Sequence, residues 1–166
     1  MNKYVGEQYI MQLEKRKGGY FYLTINSEIV NQFANKRHTR LICTLENKLS
    51  FQCGLNHLGD GNYFIILSSK ILEMIEKQLN DKIIFSINID PNPLGVDMPE
   101  VLESLLEQDN NLKEKFEKLT LGKQRNIIHQ MNKIKNFDLQ IKKTIELINN
   151  ANKLELIPLT GQRVKL

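Results

Sequence analysis

Apolar and polar residues alternate in three stretches of the first half of the chain, and each stretch has a counterpart 42 positions later. Moving residues 7–48 onto residues 49–90 brings the stretches into register without a gap. The paired apolar positions are Tyr9, Met11 and Leu13 with Phe51, Cys53 and Leu55; Phe21, Leu23 and Ile25 with Tyr63, Ile65 and Leu67; and Leu41, Cys43 and Leu45 with Ile83, Phe85 and Ile87. Because side chains on a strand point alternately to opposite faces, the pattern predicts six strands whose matched residues face one core.

Each copy also contains a turn with glycine and a short helix. The turns are KGG at residues 17–19 and GDG at residues 59–61. Apolar residues at helical spacing follow the second strand of each copy, and the helix start is marked by Asn26 and Ser27 in the first copy and by Ser68 and Ser69 in the second. Units this small cannot each bury a core. We therefore predict an α+β fold in which both copies, residues 7–90, form one six-stranded β-barrel about a pseudo-twofold axis.

The second half of the chain has the periodicity of helices. Two prolines and a glycine in residues 91–97 end the last strand, and this segment is predicted to be a linker. Asp97 is the predicted N-cap of an amphipathic helix, and Thr120 is the predicted cap of a later one. The helices are expected to form a small bundle over residues 98–150. Residues 151–166 are predicted to be a tail that lies on the domain, binds a partner or is disordered.

The two copies differ on the faces that point away from the predicted core. These faces carry Tyr22 and Thr24 in the first copy but Phe64 and Ile66 in the second. A monomer seldom leaves a cluster of large apolar side chains in water. Phe64 and Ile66 are therefore a candidate interdomain face, which the helical bundle is predicted to cover.

Charge is distributed unevenly in the helical half, although the whole chain carries a net charge of only +4. Acidic residues dominate residues 97–117, and basic residues dominate residues 118–143. One interpretation is that these helices pair their charges at the surface, where each pair contributes at most about 1 kcal/mol. The other is a basic surface that attracts phosphate groups of nucleic acids, nucleotides or lipids. The candidate residues of this surface are Arg125, Lys133, Lys135, Lys142 and Lys143.

The cysteines and the hydropathy of the chain bear on the cellular compartment in which the protein is expected. Cys43 and Cys53 lie in apolar alternating stretches without CxxC or Cys/His spacing, so they are predicted to be buried, reduced thiols. The first residues contain no apolar run typical of a signal peptide, and no stretch of about 18 apolar residues occurs. The chain is therefore expected to be cytoplasmic. It is also expected to be a monomer, because the repeat supplies both halves of the barrel.

No arrangement of residues predicts catalysis. His38, His57 and His129 lack HxH or HExxH spacing and have no acidic partner at ligand spacing. Ser68 and Ser69 lack the GxSxG setting and are typical of a helix cap, and the chain has no GxxxxGK[ST] loop. We therefore expect no enzyme activity and no catalytic, metal or cofactor site.

The sequence resembles a bacterial family. The stretches GYFYLTIN and LGDGNYFIILSSKI, followed by MPEVLESLLEQDNNLKEKFEKLTLGKQRNIIHQMNKIK, are similar to bacteriocin-protection, or YdeI/OmpD-associated, proteins with an N-terminal companion barrel domain of unknown function. The helical positions that fit the family are Pro99, Leu105, Phe116, Leu119, Arg125 and Lys135. Those that depart from its alanine, its Thr-Arg pair and its last arginine are Ile134, Leu139, Gln140 and Lys143. The resemblance implies a bacterial protein with a double-split barrel similar to that of AbrB-like transcription factors.

Two function classes stay open. The first is a non-catalytic binding or adaptor protein of the YdeI/OmpD-associated type, which engages a protein or a small ligand through the barrel, the bundle or the cleft between them. The second is a nucleic-acid-binding protein with an AbrB-like barrel and basic helices. Its further candidate residues are Arg16 and Lys17 at one hairpin and Lys36, Arg37 and Arg40 before a strand. The second copy has Gly59 and Leu79 where the first has Lys17 and Arg37, so a twofold-symmetric basic surface is absent and the first class is favoured.

Overall fold

The computed structural model describes residues 3–15 and 19–153, and the chain divides into two compact units, Met1–Gly95 and Val96–Leu166. All strands of the described residues belong to the first unit, whereas the second unit is helical. No helix in the described part of the chain is long and apolar enough to cross a membrane. Arg16, Lys17 and residues 154–166 of the predicted tail lie outside the described residues.

In the described residues of the N-terminal unit, eight antiparallel strands form two sheets. The strands are β1 (Lys3–Tyr9), β2 (Met11–Gln12), β3 (Phe21–Ile25), β4 (Leu41–Leu45), β5 (Leu49–Cys53), β6 (Asn56–His57), β7 (Tyr63–Leu67) and β8 (Lys82–Ile89). One sheet has the order β1-β8-β4-β5, and the other has the order β2-β3-β7-β6. Buried side chains from both sheets form a single apolar core.

The prediction of one six-stranded closed barrel is wrong. The first predicted strand of each copy is broken in two, and the two four-stranded sheets do not join into a closed barrel. The break arises because the chain changes its hydrogen-bonding partner. Ile10 N–H donates to the Asp81 carbonyl at 2.9 Å, whereas Leu13 N–H donates to the Tyr20 carbonyl at 2.9 Å, next to β3 in the other sheet. The predicted α+β class, with strands followed by helices, is confirmed.

The later elements of the two copies keep the predicted register. β3 and β7, the helices α1 (Ser27–Asn31) and α2 (Ser69–Met74), and the centres of β4 and β8 match at the shift of 42 positions. Leu23 pairs with Ile65, and Thr44 pairs with Ser86, so in both ladders a residue lies opposite its own equivalent. Such a pairing occurs only at the centre of a twofold-related pair of strands. Each ladder therefore has a local pseudo-twofold axis.

The first strand of the two copies does not keep that register. Gln8 of β1 lies opposite Ile83, whereas Cys53 of β5 lies opposite Leu41. Because Ile83 is the equivalent of Leu41, Gln8 is the structural equivalent of Cys53, at a shift of 45 positions rather than 42. An odd change in register turns every side chain of a strand to the other face.

This shift overturns the predicted inner face of the first strand. Tyr9 and Met11 are 58% and 44% exposed, and Ile10 between them is fully buried. The Gln8 side chain holds the new register, since its amide donates to the Thr24 carbonyl at 3.0 Å and accepts from the Thr24 N–H at 2.9 Å. Tyr9 and Met11 were thus assigned to the wrong face.

The matched residues of the other strands face the core as predicted. The buried members are Leu23, Ile25, Leu41, Cys43, Leu45, Cys53, Ile65, Leu67, Ile83, Phe85 and Ile87, and Phe21, Phe51, Leu55 and Tyr63 pack against them partly buried. The two cysteines are buried and free, as expected. The predicted helix caps are also confirmed: Asn26 accepts from the Glu28 N–H at 2.8 Å, and Ser68 accepts from the Ile71 N–H at 3.2 Å.

The segment after β8 is held by specific contacts. The side chains of Asp90 and Asn92 each accept a hydrogen bond, at 2.9 Å, from the backbone N–H two residues later. The guanidinium of Arg40 donates to the Gly95 carbonyl at 3.5 Å. A Cβ atom at Gly54 or Gly95 would overlap the Arg40 side chain. The first part of the predicted linker is therefore ordered within the N-terminal unit.

The C-terminal unit contains four helices among the described residues: α3 (Glu100–Gln108), α4 (Asn110–Glu117), α5 (Leu121–Met131) and α6 (Phe137–Lys153). Asp97 does not cap the first of them, because Pro99 precedes the first helical residue. The residue that precedes a proline, here Met98, disfavours the helical conformation. A helix capped by Asp97 would have to begin at Met98, so Asp97 cannot be its N-cap. Thr120 does cap α5, since its hydroxyl accepts from the Lys123 N–H at 3.4 Å.

The longest helix organises this unit. α6 packs against α3, α4 and α5. The buried side chains on these helices and their connections are Leu102, Leu106, Leu112, Phe116, Leu119, Ile127, Ile128, Met131, Thr144 and Ile148. Lys115 on α4 donates to the Asn149 side chain on α6 at 2.9 Å, and Gln124 on α5 donates to the Phe116 carbonyl at 3.0 Å. The helical unit therefore has its own small core.

Candidate functional site

A groove of about 480 Å³ lies between α3 and α6. Its lining residues are Glu100, Val101, Ser104, Leu105, Gln108, Phe137 and Ile141. The volume is within the range of about 300–1,000 Å³ that is typical of ligand sites. All its lining residues belong to the helical unit, so this unit forms the groove by itself.

The α3 wall results from a second apolar column on that helix. Leu102 and Leu106 are buried in the core, whereas Val101 and Leu105, each one position earlier, are only partly buried. One position along an α-helix corresponds to a rotation of about 100°, so the second column points beside the core rather than into it. The apolar face of α3 is therefore wider than the core covers.

The α6 wall begins with an exposed aromatic ring. The Asn136 side chain accepts a hydrogen bond at 2.9 Å from a backbone N–H in the first turn of α6. The Gln140 amide donates to the Met131 carbonyl at 3.1 Å, which ties this turn to the end of α5. Phe137 is 59% exposed, and Ile141, one turn later, is partly buried. Local hydrogen bonds thus fix the helix turn that carries Phe137 at the groove, although the Phe137 side chain is not buried in the core.

The α3 side of the groove is acidic. Among the described residues that line the groove, Glu100 has the one charged side chain. Residues 96–112 contain no lysine or arginine, and α3 carries three exposed carboxylates, Glu100, Glu103 and Glu107. The first turns of α6 carry both Asp138 and Lys142, so that side has mixed charge. The α3 wall is therefore suited to a cationic group beside an apolar one.

A second cavity, of about 470 Å³, belongs to the N-terminal unit. Its lining residues are Gln12, Leu13, Glu14, Tyr22, Leu58, Gly59 and Asp60. The Asp60 carboxylate accepts a hydrogen bond from the Asn62 N–H at 2.9 Å, and this bond lowers the pKa of Asp60. That carboxylate serves the local turn, and the cavity offers few apolar side chains. The groove between α3 and α6 is the better candidate for a binding site.

The predicted basic residues lie on α5, on the α5–α6 connection and on α6. Arg125 is partly buried, whereas the four lysines, Lys133, Lys135, Lys142 and Lys143, are exposed. Lys143 pairs with Glu146 at 2.8 Å, and this contact lowers the pKa of the Glu146 carboxyl group. At least one of the candidate charges is therefore engaged within the helix.

The candidate interdomain face has an aromatic partner within its own unit. The ring of Phe64 meets the ring of Tyr22 edge-on, with the centroids 5.4 Å apart. Tyr22 and Phe64 are both buried, and Ile66 is 36% exposed. The covering of this face by the helical bundle stays a prediction.

Residues that could bind a metal ion do not form a cluster in the described part of the chain. No group of three or more His, Cys, Asp or Glu residues among residues 3–15 and 19–153 could hold a metal ion. Burial raises the pKa of Cys53 to about 12 and raises the pKa of Cys43 further, so both thiols are protonated at neutral pH. The His57 ring packs on Tyr63 at 4.9 Å, and His38 and His129 are exposed.

The groove was missed in the sequence because its residues look like ordinary core positions. Val101 and Leu105 stand next to the buried Leu102 and Leu106 in the sequence, and Ile141 lies at helical spacing from the buried Ile148. Phe137 carried a usable signal: it extends the α6 stripe by one turn, yet it follows Asn136 directly at the helix start. A large apolar residue at the first position of a helix lies at the edge of its core contacts and is a candidate for exposure.

A comparison with family models identifies the helical part of the chain. Residues 95–153 match the OmdA model, described as Bacteriocin-protection, YdeI or OmpD-Associated. This segment is an OmdA family domain, and the resemblance is confirmed for it. The match does not include residues 1–94, for which the companion barrel domain stays a prediction. Comparisons with curated proteins and with solved structures gave no match.

Four of the positions that the sequence resemblance assigns to the family can be located in this domain. Pro99 precedes α3, Leu105 lines the groove, and Phe116 and Leu119 are buried in the core. Leu139, which the resemblance predicts to be a departure from the family, is 47% exposed. Of the positions named in the resemblance, Leu105 therefore lies on the α3 wall of the groove.

Proposed function

We propose that this protein is a non-catalytic binding or adaptor protein whose OmdA family domain takes an apolar segment of a protein partner in the groove between α3 and α6. The observation that carries the proposal is Phe137, which is 59% exposed beside Val101, Leu105 and Ile141. Aromatic side chains next to apolar pockets are typical anchors of protein interfaces. The other lining residues, Ser104 among them, provide a polar rim.

The free protein does not use the full stabilisation that Phe137 offers. Complete burial of a phenylalanine side chain contributes about 1.5–3 kcal/mol relative to exposure. More than half of this side chain is in contact with water. A partner that covers it gains most of that contribution, and Asn136 and Gln140 already hold its helix turn in place, which reduces the entropy lost on binding.

The shape of the groove favours a peptide segment over a flat surface. It runs along two turns of α3 and the first turns of α6. Helices that dock in such grooves present anchors at positions i, i+3 or i+4, and i+7. A short amphipathic helix or an extended apolar strand is therefore the expected form of the partner segment.

Site-specific photo-crosslinking tests this proposal in the cells that produce the protein. A photoreactive phenylalanine derivative replaces Phe137 in one variant and Leu139 in a control variant. Leu139 is 47% exposed on the same helix but does not line the groove. We expect an adduct with one defined protein from position 137 and not from position 139. The same adducts from both positions, or no adduct from either, would overturn the proposal.

Binding of the purified partner provides the second part of the test. Leu105→Asp places a charge in the groove and should weaken binding about tenfold or more. Leu121→Asp is the matched control, because Leu121 is 47% exposed on α5 and outside the groove. Urea unfolding of both variants separates loss of binding from loss of folding. Equal affinities of the two variants would contradict a role of the groove.

A second candidate function, nucleic-acid binding, is favoured by the exposed Lys133, Lys135 and Lys142. Fluorescence anisotropy with short random duplex DNA and with single-stranded RNA, titrated with salt, tests it. The adaptor proposal expects no binding at low salt. Micromolar binding that falls steeply with salt, and that is lost when these lysines and Lys143 are changed to Glu, would support the second function instead.

The repeat also supports a monomeric N-terminal unit. β3 pairs with β7 and β4 pairs with β8, so strands that AbrB-like dimers draw from two chains are supplied by one. We therefore propose a monomer, and sedimentation equilibrium of the full chain measures its mass directly. A concentration-dependent dimer would contradict this part of the proposal.

A further inference from the structure

We infer that the groove between α3 and α6 takes its partner segment as an extended strand. The backbone of the segment forms hydrogen bonds with the side chains of Ser104 and Gln108, and a basic side chain of the segment lies next to Glu100. The inference rests on the proposed binding role of the groove and names the form and the chemistry of the segment. The order of the lining residues, a contact elsewhere in the same protein, the size of the groove and its charge support it.

The residues of α3 that line the groove form two parallel rows. Residues four positions apart on a helix lie one above the other on the same side. Val101 and Leu105 form one row, which is apolar. Glu100, Ser104 and Gln108 form the other row, which is polar, and all three side chains are exposed. The described lining residues on α6 are apolar, so the polar row gives the groove hydrogen-bonding groups along one side.

The polar row matches the repeat of an extended backbone. Positions four apart on a helix are separated by about 6 Å along its axis. In a strand the backbone N–H and C=O groups of every second residue point to the same side, about 6.6 Å apart. The Ser104 hydroxyl and the Gln108 amide can each both donate and accept, so they can bind the backbone of two such residues. A helical segment pairs its backbone groups internally and offers only side chains to this row.

The N-terminal unit of the same chain contains the kind of contact that we assign to Gln108. The Gln8 side chain donates to the Thr24 carbonyl at 3.0 Å and accepts from the Thr24 N–H at 2.9 Å. One side-chain amide thus pairs both backbone groups of a residue in a strand. Gln108 has the same amide group and lies exposed at the groove, where it can pair one residue of an incoming strand in the same way.

The volume of the groove fits a strand better than a helix. The row from Glu100 to Gln108 is about 12 Å long. A strand of this length, about 4.8 Å wide and about 10 Å thick with its side chains, occupies roughly 580 Å³. A helix of the same length and about 10 Å in diameter occupies roughly 940 Å³. The groove has a volume of about 480 Å³, so it can hold most of a strand but only about half of a helix.

The charge of the polar row favours one direction of the segment. Glu100 stands at one end of the row and the uncharged Gln108 at the other, and residues 96–112 contain no lysine or arginine. A lysine or arginine of the segment is therefore favoured at the Glu100 end, because opposite charges at the rim of a contact fix its register and direction. The expected segment has apolar side chains at alternate positions and a basic residue at one end.

Fluorescence anisotropy with two labelled peptides and the full chain tests the inference. In the first peptide leucine alternates with threonine and a lysine stands at one end. In the second, of equal length, charge and leucine content, the leucines have helical spacing. We expect the alternating peptide to bind about tenfold more tightly or better, since it alone offers backbone groups to the polar row. Equal or tighter binding of the helical peptide, or no binding of either, would overturn the inference.

N-methylation provides a matched pair of peptides with one sequence. Methyl groups are placed on the backbone nitrogens of every second residue, on one set of residues in one peptide and on the other set in its partner. Only one set of backbone groups can point to the polar row, because the two sets of a strand point to opposite sides. One methylated peptide should therefore keep its affinity and the other should lose it. Equal affinities would contradict binding as a strand.

Variants of the protein identify the groups that hold the strand. Gln108→Ala should weaken binding of the alternating peptide about tenfold, and Ser104→Ala should weaken it less. Gln130→Ala is the matched control, because Gln130 lies on α5 and does not line the groove. Glu100→Lys should also weaken binding, and a peptide with glutamate in place of lysine should restore it. Unchanged affinity after Gln108→Ala would remove the assigned contact, and urea unfolding confirms that each variant is folded.

The inference and the proposed function fail separately. If the photoreactive group at position 137 captures a defined protein but the alternating peptide has no advantage, the inference is wrong and the proposed function stands. If the peptides and the Gln108 variant behave as expected but no protein is captured, the binding chemistry of the groove stands and the proposed function is wrong.

Discussion

The two units of this protein use their apolar residues differently. In the N-terminal unit the inward columns of both repeats meet in one core, where Leu23, Ile25, Ile65 and Ile87 are fully buried. In the helical unit α3 and α6 bury one column each and leave a second column half covered, with Phe137 at its end. The first unit thus buries its apolar columns, whereas the second leaves apolar surface exposed, and this is the surface that we propose for a partner.

The geometry of the elements explains this difference. A strand has only two faces, so residues that do not face the core lie on the other face. On the outer face of β1, Val5 and Tyr9 are exposed, but Glu7 between them pairs with Lys82 at 2.8 Å. A helix has columns at intermediate angles, and these columns form grooves where two helices meet. Partly buried helix columns are therefore a better guide to a binding site than exposed residues on a sheet.

The largest expected effect is in the core of the N-terminal unit. Phe85 is 2% exposed, and Phe85→Ala should reduce the free energy of unfolding by about 3–5 kcal/mol in urea titrations, because it leaves a cavity. Ile84→Ala is the control on the opposite face of β8, where the side chain is 44% exposed, and should cost about 0.5 kcal/mol or less. Equal losses of unfolding free energy at the two positions would show that the two faces of β8 do not differ in burial as described.

A smaller effect is expected from an added methyl group in β1. A Cβ atom at Gly6 would lie 2.8 Å from two ring carbons of Phe85, so Gly6→Ala should cost about 1–3 kcal/mol by overpacking. Phe85→Leu in the same chain should recover part of this loss. At Gly122 in α5 the nearest atoms are 4.0 Å away, and Gly122→Ala should instead stabilise the helical unit by about 0.5–1 kcal/mol.

The buried thiols predict a pH dependence of the N-terminal unit alone. Burial raises the pKa of both Cys43 and Cys53 above the ordinary value of 9.0, so above that pH the unfolded chain releases protons that the folded chain retains. The stability from these thiols is complete below about pH 9 and falls as the pH rises above it. Between pH 8 and pH 10 we expect a loss of about 1 kcal/mol per thiol in urea unfolding.

The double variant Cys43→Ala, Cys53→Ala isolates this contribution. Lysines and tyrosines titrate in the same range in both proteins, so only the difference between their pH profiles reports the thiols. The variant should be less stable at pH 8 and should lose less stability by pH 10. Parallel profiles would show that the thiols do not titrate differently in the folded and unfolded states.

The smallest expected effect on stability is at the groove. Phe137→Ala should change the free energy of unfolding by about 0.5 kcal/mol or less, since the ring is 59% exposed, while partner binding should be lost. Phe116→Ala on α4 makes the same chemical change at a side chain that is 3% exposed and should cost about 3 kcal/mol or more. A large loss of stability at Phe137 would make it a core residue and remove its role as an anchor.

Much of the architecture was predictable because it depends on short-range patterns. The alternation at Leu23 and Ile25 and the capping residues Asn26 and Ser68 specify strands and helix starts within a few residues. The similarity of the two copies also predicted a twofold relation between them, and the pairing of Leu23 with its equivalent Ile65 shows that relation. For the candidate site, the sequence indicated the helices but not the groove. The residues of α3 that face the core and the residues that face the groove are both apolar, so their sequence pattern does not distinguish them.

The sequence by itself determined the class of fold, the repeat in β3, β4, β7 and β8, and the OmdA family domain, since each depends on local periodicity or on recognisable residues. Only the tertiary structure decided the register of β1, because a shift of three residues exchanges its two faces while the local pattern stays plausible. The choice depends on distant groups: Phe85 needs the space at Gly6, and Gln8 needs the backbone of Thr24. The groove likewise depends on which column of α3 meets α6, and only the packing of the two helices determines that contact.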